Sequence, residues 1–268
     1  MERLHVLGTG NAAVTRCYNT CFALEKGGEY LLCDAGGGNG ILRQLKLADI
    51  GFGSIHHFII THAHCDHLLG AVWVLRMVGT AMKGGSYQGQ LHIYCHHSII
   101  EGLTAMAKLM LPSAINAFLG DRILFHPVED GVQAQILGHT VTFFDIGSTK
   151  LLQYGFTLQL TVGQKLCCLG DEPYNPACAH WVEGSSWLLS EAFCLYEHRE
   201  IFKPYEKHHS TVKDAAKLAQ SLGVAQLVLW HTEDRYLEER KQLYTREAQT
   251  EYSGKVYVPD DLEVIPLA

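Results

Sequence analysis

Seven residues, Thr61-His62-Ala63-His64-Cys65-Asp66-His67, constrain this chain more than any other stretch. Three imidazoles and a carboxylate stand between the apolar run Phe58-Ile59-Ile60 and the apolar-periodic run Leu68 to Val78, a pattern expected where a strand turns into a helix. If residues 58–62 continue as a strand, His62 and His64 project to one side, because strand side chains alternate with a period of two. One metal ion can take both. Asp66 and His67, at the turn into the helix, face another direction and suit a second ion; two ions about 3.5–4 Å apart form a clamp for hydrolytic chemistry. The chain has 16 histidines, so some are ordinary, and His56, His57, His96 and His97 are expected to be among those.

A length of 268 residues with 47% hydrophobic residues is ample for a sizeable core, and one layered α/β domain over residues 1–268 is the simplest expectation. The start, Met1-Glu2-Arg3-Leu4-His5-Val6, reads as a short strand without a signal-like leader, and no segment approaches a membrane-spanning run. Nine scattered cysteines, several inside apolar runs such as Leu31-Leu32-Cys33, read as buried reduced thiols. A soluble cytoplasmic protein is expected. The formal net charge of −7, with no long basic run, argues against gripping an extended nucleic-acid backbone and leaves a local basic pocket open.

Carboxylates and histidines recur where apolar runs end. The hairpin Cys21 to Cys33, turning at Lys26-Gly27-Gly28, runs into Asp34, which suits a loop cap or a partner that orients a ligating histidine. Strands are expected at 91–95, 140–146, 154–160 and 165–169, the last three within a β-rich stretch from Ile123 to Leu169. The last of them leads to Gly170-Asp171. A carboxylate at the end of a buried strand is costly unless paired or bound to metal, so Asp171 is the candidate bridging ligand, with a loop cap as the rival reading. Trp187 to Ser190 runs into Glu191, and His208-His209 precede an amphipathic helix capped by Ser210 or Thr211 and stopped by Gly223. Gln226 to Trp230 ends in His231. Asp34, His62, Asp171 and His231 all lie just past strand carboxyl ends, the edge where α/β proteins form sites. A helix over about 237–249 and a strand near 255–258 close the chain.

These residues resemble the metallo-β-lactamase superfamily, and within it the ribonuclease Z-like branch. The likeness rests on Leu7-Gly8-Thr9-Gly10, Cys33-Asp34-Ala35-Gly36, the central seven residues, Gly170-Asp171, Glu191-Ala192-Phe193, His209-Ser210-Thr211, and His231 with Arg235-Tyr236. It implies an αββα sandwich with two mixed sheets face to face and a dinuclear zinc site at one edge. His62 and His64 would hold the first ion, Asp66, His67 and His231 the second, and Asp171 would bridge them, with manganese or iron as alternatives to zinc.

The sequence departs from that branch twice. The branch has a further histidine ligand just past a strand that here reads Val141 to Ile146, and the next residues, Gly147-Ser148-Thr149-Lys150, contain none. Asp145 could supply an oxygen in its place, or the first ion is weak or absent. The insertion that grips the tRNA body is also missing. The resemblance implies a metal-dependent phosphodiesterase that activates water on its ions, with Asp66, Glu191 and His209 catalytic, Glu191 and His209 passing a proton to the leaving oxygen, and Lys150 or Arg235 pairing with the phosphate. Expected substrates are a small phosphodiester or an RNA 3′ end, with room for a homodimer. The rival readings are a hydrolase of lactams, thioesters or lactones, and a binding protein with a degenerate metal site.

Overall fold

Alternating apolar residues along short strands build two sheets that share one apolar layer. The computed structural model describes residues 2–267. Glu2–Gly8 (β1), Cys21–Lys26 (β2), Glu29–Cys33 (β3), Ile55–Ile59 (β4), Leu91–Cys95 (β5) and Ile123–Pro127 (β6) belong to the first sheet. Gln133–Ile136 (β7), His139–Asp145 (β8), Tyr154–Gln159 (β9), Lys165–Cys168 (β10), Trp187–Glu191 (β11), Gln226–Trp230 (β12) and Lys255–Tyr257 (β13) make the second, and Val264–Leu267 (β14) returns to the first beside β1. The strand orders are β14-β1-β2-β3-β4-β5-β6 and β13-β12-β11-β10-β9-β8-β7.

The period of two sorts the core into layers. Along β3, Leu31 and Cys33 enter the layer between the sheets, where they meet Phe156, Cys168 and Trp230, while Leu32 faces the helices. Outside the first sheet pack the helices Gly40–Leu47, Cys65–Lys83 and His97–Met110; outside the second pack Val212–Leu222 and Leu237–Ala248. The architecture is the expected αββα sandwich. No helix among the described residues is long and apolar enough to cross a membrane.

Two local devices matter for the site. Thr211 caps the helix Val212–Leu222 through a reciprocal box: its Oγ1 accepts from Asp214 N while Asp214 Oδ2 accepts from Thr211 N. This fixes the chain directly after His209. The helix Cys65–Lys83 approaches the turn after β3 so closely that a Cβ on Gly70 would lie 1.8 Å from Ala35 O. Gly70 N donates to Gly36 O at 2.9 Å, which pins the helix start, with Asp66 and His67, against Asp34.

Three expectations need correction. The β4 ladder ends at Ile59, so residues 60–64 form an extended loop rather than a strand, because the chain must leave the sheet to enter the helix. The β-rich stretch from 123 divides between the sheets, since β6 pairs with β5. A further strand, β14, follows β13 and pairs antiparallel with β1.

Candidate metal centre

The strands β3 and β4 run parallel, as do β10, β11 and β12, so the segments that follow them emerge together at one edge. Asp34, just past β3, has φ 54°, and His231, just past β12, has φ 56°. Asp34 is buried and its carboxylate is fully used. Oδ1 accepts from Thr61 N at 2.8 Å, and Oδ2 accepts from the Thr61 hydroxyl at 2.7 Å and from His67 Nδ1 at 2.8 Å. The Thr61 hydroxyl spends its proton on Asp34, so at 2.9 Å its oxygen accepts from His62 Nδ1. Asp34 therefore puts the His67 proton on Nδ1, and the shorter contact with Thr61, against Gln153 Nε2 at 3.1 Å, favours the same tautomer for His62. Each Nε2 lone pair is left for a ligand.

Those lone pairs converge on Asp171. Its Oδ2 lies 3.4 Å from His62 Nε2, 3.6 Å from His67 Nε2, 3.5 Å from His231 Nε2 and 3.9 Å from His64 Nδ1. Asp66 Oδ2 is 3.5 Å from both His67 Nε2 and His231 Nε2. Nitrogen and oxygen donors about 2.0–2.1 Å from a tetrahedral ion stand about 3.4 Å from one another. Asp66 with His67 and His231, and Asp171 with the same two imidazoles, thus have the spacing of donors around an ion. His67 Nε2 and His231 Nε2 are buried without hydrogen-bond partners, a costly state that a cation between them would relieve.

The second group, His62, His64 and Asp171, is less regular. Its nitrogens His62 Nε2 and His64 Nδ1 are 2.8 Å apart, and it comprises three donors. Gln153, buried behind it, donates from Nε2 to Asp171 Oδ1 and so aims Oδ2 at the imidazoles. Burial pushes the His62 imidazole down, toward the neutral form, whereas His67, though buried, is held well above its usual value by the Asp34 carboxylate, so a cation there must displace a proton from it. Burial opposes ionisation of Asp171 and Asp66, yet the imidazoles around them, His62 foremost for Asp171 and His231 for Asp66, hold both carboxyls well below the usual range.

Beside these groups opens a cavity of about 490 Å³, whose walls include Lys150, Phe193, Lys207, His208 and His209. Glu191 Oε1 accepts from Ser210 N, and Oε2 lies 3.6 Å from His209 Nδ1. The Phe193 ring stacks on His209 with centroids 4.8 Å apart, holding the imidazole from its other side. Asp145 and Arg235 are not brought to the cavity. Asp145 Oδ1 accepts from Gly147 N, in a separate hollow with Asp130 and Asn175, and the Arg235 guanidinium lies over the Phe202 ring. Sequence reasoning missed Gln153, for which a polar residue before an apolar strand was the only signal.

Fold and donor groups together define the class: the chain has the metallo-β-lactamase fold, with clustered histidine and aspartate donors at one edge of its sheets. Residues 2–251 match the model of the family described as "Anti-Pycsar protein Apyc1", and the chain belongs to that family. A Bacteroides fragilis protein named Ribonuclease Z is 22% identical, with 97% of each chain covered. Among solved structures, the metallo-β-lactamase fold protein YhfI from Bacillus subtilis superposes with a TM-score of 0.78 at 18% identity, covering 98% of each chain. The short form of human tRNase Z superposes with a TM-score of 0.76 at 21% identity, covering 99% of each.

Proposed function

We propose that this protein is a metal-dependent hydrolase of phosphodiesters. The observation that carries the reading is the convergence of four imidazole nitrogens, at 3.4–3.9 Å, on the single oxygen Oδ2 of Asp171. His62 and His64 would hold one ion and Asp66, His67 and His231 the other, with Asp171 shared between them. This nitrogen and oxygen donor set suits zinc, with manganese and iron as alternatives. Divalent ions there acidify water and stabilise charge developing on phosphoryl oxygens.

The chain's own residues do the rest. Asp34 and Thr61 keep the ligand tautomers, and Gln153 keeps Asp171 aimed. Glu191 sits against His209 Nδ1, which leaves Nε2 to deliver a proton to the leaving oxygen. Lys150 and Lys207 stand in the cavity wall, where their charge favours an anionic substrate. The relatives named Ribonuclease Z support the diester over lactams and thioesters, and a small diester or an RNA 3′ end fits the net charge of −7 better than an extended nucleic acid.

The test is turnover by protein loaded with zinc or manganese on four substrates: bis(p-nitrophenyl) phosphate, p-nitrophenyl phosphate, a chromogenic lactam and a thioester. The expected result is preferential diester cleavage that is lost in His67→Ala. Faster cleavage of the lactam or thioester, or no turnover from fully loaded protein, would sink the proposal.

A further inference from the structure

His62, His64 and Asp171 form a group of three donors, as do Asp66, His67 and His231, but the second group also has Asp171 Oδ2 at 3.5–3.6 Å from both its imidazoles, and the histidine expected after β8 by the resemblance is absent from Gly147-Ser148-Thr149-Lys150. From this starting point, which rests on the metal reading above but not on the diester, we propose that His208 supplies the missing donor from another part of the chain.

Three observations carry the inference. First, His208 and Lys150 line the same cavity as His64 and Asp171. Second, His208 Nδ1 meets Thr149 Oγ1 at 3.2 Å, so the ring is held by the very segment that lacks the histidine. With Nδ1–H given to that hydroxyl, Nε2 keeps its lone pair, the arrangement Asp34 and Thr61 impose on His67 and His62. Third, packing does not account for a histidine at this position. His208 is exposed and its backbone is left-handed, with φ 56° and ψ 51°. Glycine or asparagine adopts that conformation more readily, and an exposed imidazole buries no apolar surface to offset the cost.

The neighbouring residues limit how far this one can stray. His209 N donates to Pro204 O at 2.9 Å, and the next turn is locked by the Thr211 capping box. In the present conformation the His208 ring stands on the wall, outside the donor group. The side chain is exposed and is held only through Thr149, whose own loop, Gly147 to Lys150, lies at the cavity edge, so ring and hydroxyl turn toward the group together. The ion held by His62, His64 and Asp171 is therefore the exchangeable one, retained through a ligand that engages from the cavity side. The ion held by Asp66, His67, His231 and Asp171 does not depend on His208.

Equilibrium dialysis of the full chain against graded zinc chelator, with zinc counted by elemental analysis, reads this without any substrate. The wild type should hold two ions per chain, and His208→Ala should bind the weaker one at least about tenfold less tightly, since losing even an outer partner of a ligand costs about that much. The tighter ion should be unchanged, and Thr149→Val should show a smaller loss of the same kind. His97→Ala, an exposed histidine away from the cavity, controls for loss of surface imidazoles, and circular dichroism checks that each variant is folded. Two ions held with wild-type affinity by folded His208→Ala would overturn the inference and leave the metal reading standing. A raised KM in that variant with unchanged metal binding would also overturn it, by assigning His208 to the substrate. A wild type that binds no zinc would overturn the metal reading and this inference together.

Discussion

Replacing Asp34 by asparagine tests how the site sets its own ligands. Asparagine and aspartate both tolerate the left-handed backbone found at this position, so the swap removes charge and acceptor capacity with little strain. In the wild type, one carboxylate accepts from Thr61 N, from the Thr61 hydroxyl and from His67 Nδ1, all at 2.7–2.8 Å. An amide has one oxygen for these three donors, and its NH2 must face at least one of them. Turned toward His67, the NH2 favours the tautomer with the proton on Nε2, the atom needed as a ligand. Turned toward Thr61, it reverses the hydroxyl and with it the His62 proton. Losing one charged hydrogen bond of this kind costs about 1.5–3 kcal/mol, and losing the partner of a ligating histidine typically costs about 10–100-fold in metal affinity, which corresponds to about 1.4–2.7 kcal/mol. We therefore expect Asp34→Asn to weaken zinc binding by about 10–100-fold, measured by competition with a chromogenic chelator. Wild-type zinc affinity in this variant would refute the claim that Asp34 sets the tautomers.

Three further outcomes follow from the same structure. His209→Ala should lower kcat by about 10²–10⁴-fold on a diester with an alkoxide leaving group and much less on one releasing p-nitrophenolate, because only the former needs a proton; equal losses on both would remove His209 from that role. Gly70→Ala should cost about 3 kcal/mol in chemical denaturation and weaken metal binding, since its Cβ would meet the Ala35 carbonyl at 1.8 Å and neither backbone can yield cheaply; an unchanged midpoint would contradict the packing described. Far from the site, hydrogen bonds from Arg3 bring the Glu25 carboxyl from its usual 4.5 down to about 2, even against partial burial. A carboxyl lowered in the folded state stabilises above its unfolded value and loses that contribution as pH falls. The Tm advantage of wild type over Glu25→Gln should therefore shrink between pH 4.5 and about 2, and a pH-independent difference would contradict it.

Much of the site was readable because its chemistry is local in sequence. His62, His64, Asp66 and His67 lie within six residues, and Asp34, Asp171, Glu191 and His231 each terminate an apolar run that any strand reading finds. Most strands followed from the same runs, and the sandwich from the resemblance to the metallo-β-lactamase superfamily. What the sequence concealed depends on direction and on distant partners. Asp145 lies at the expected place along β8, but it turns to cap Gly147, and nothing in the run of residues distinguishes that from facing the cavity. Arg235 is drawn to Phe202, a neighbour set only by the fold. Gln153 acquires its role from Asp171, 18 residues away in sequence. The short strand β14 contains a proline and is stabilised by pairing with β1 across the whole length of the chain, so no local pattern announced it.

Metal stoichiometry in wild type and Asp171→Ala, by elemental analysis after dialysis against zinc, tests the central claim most directly. With one carboxylate oxygen shared by both donor groups, the wild type should hold two ions per chain and Asp171→Ala should lose affinity for both. Two ions held undiminished without Asp171, or none in the wild type, would contradict the account.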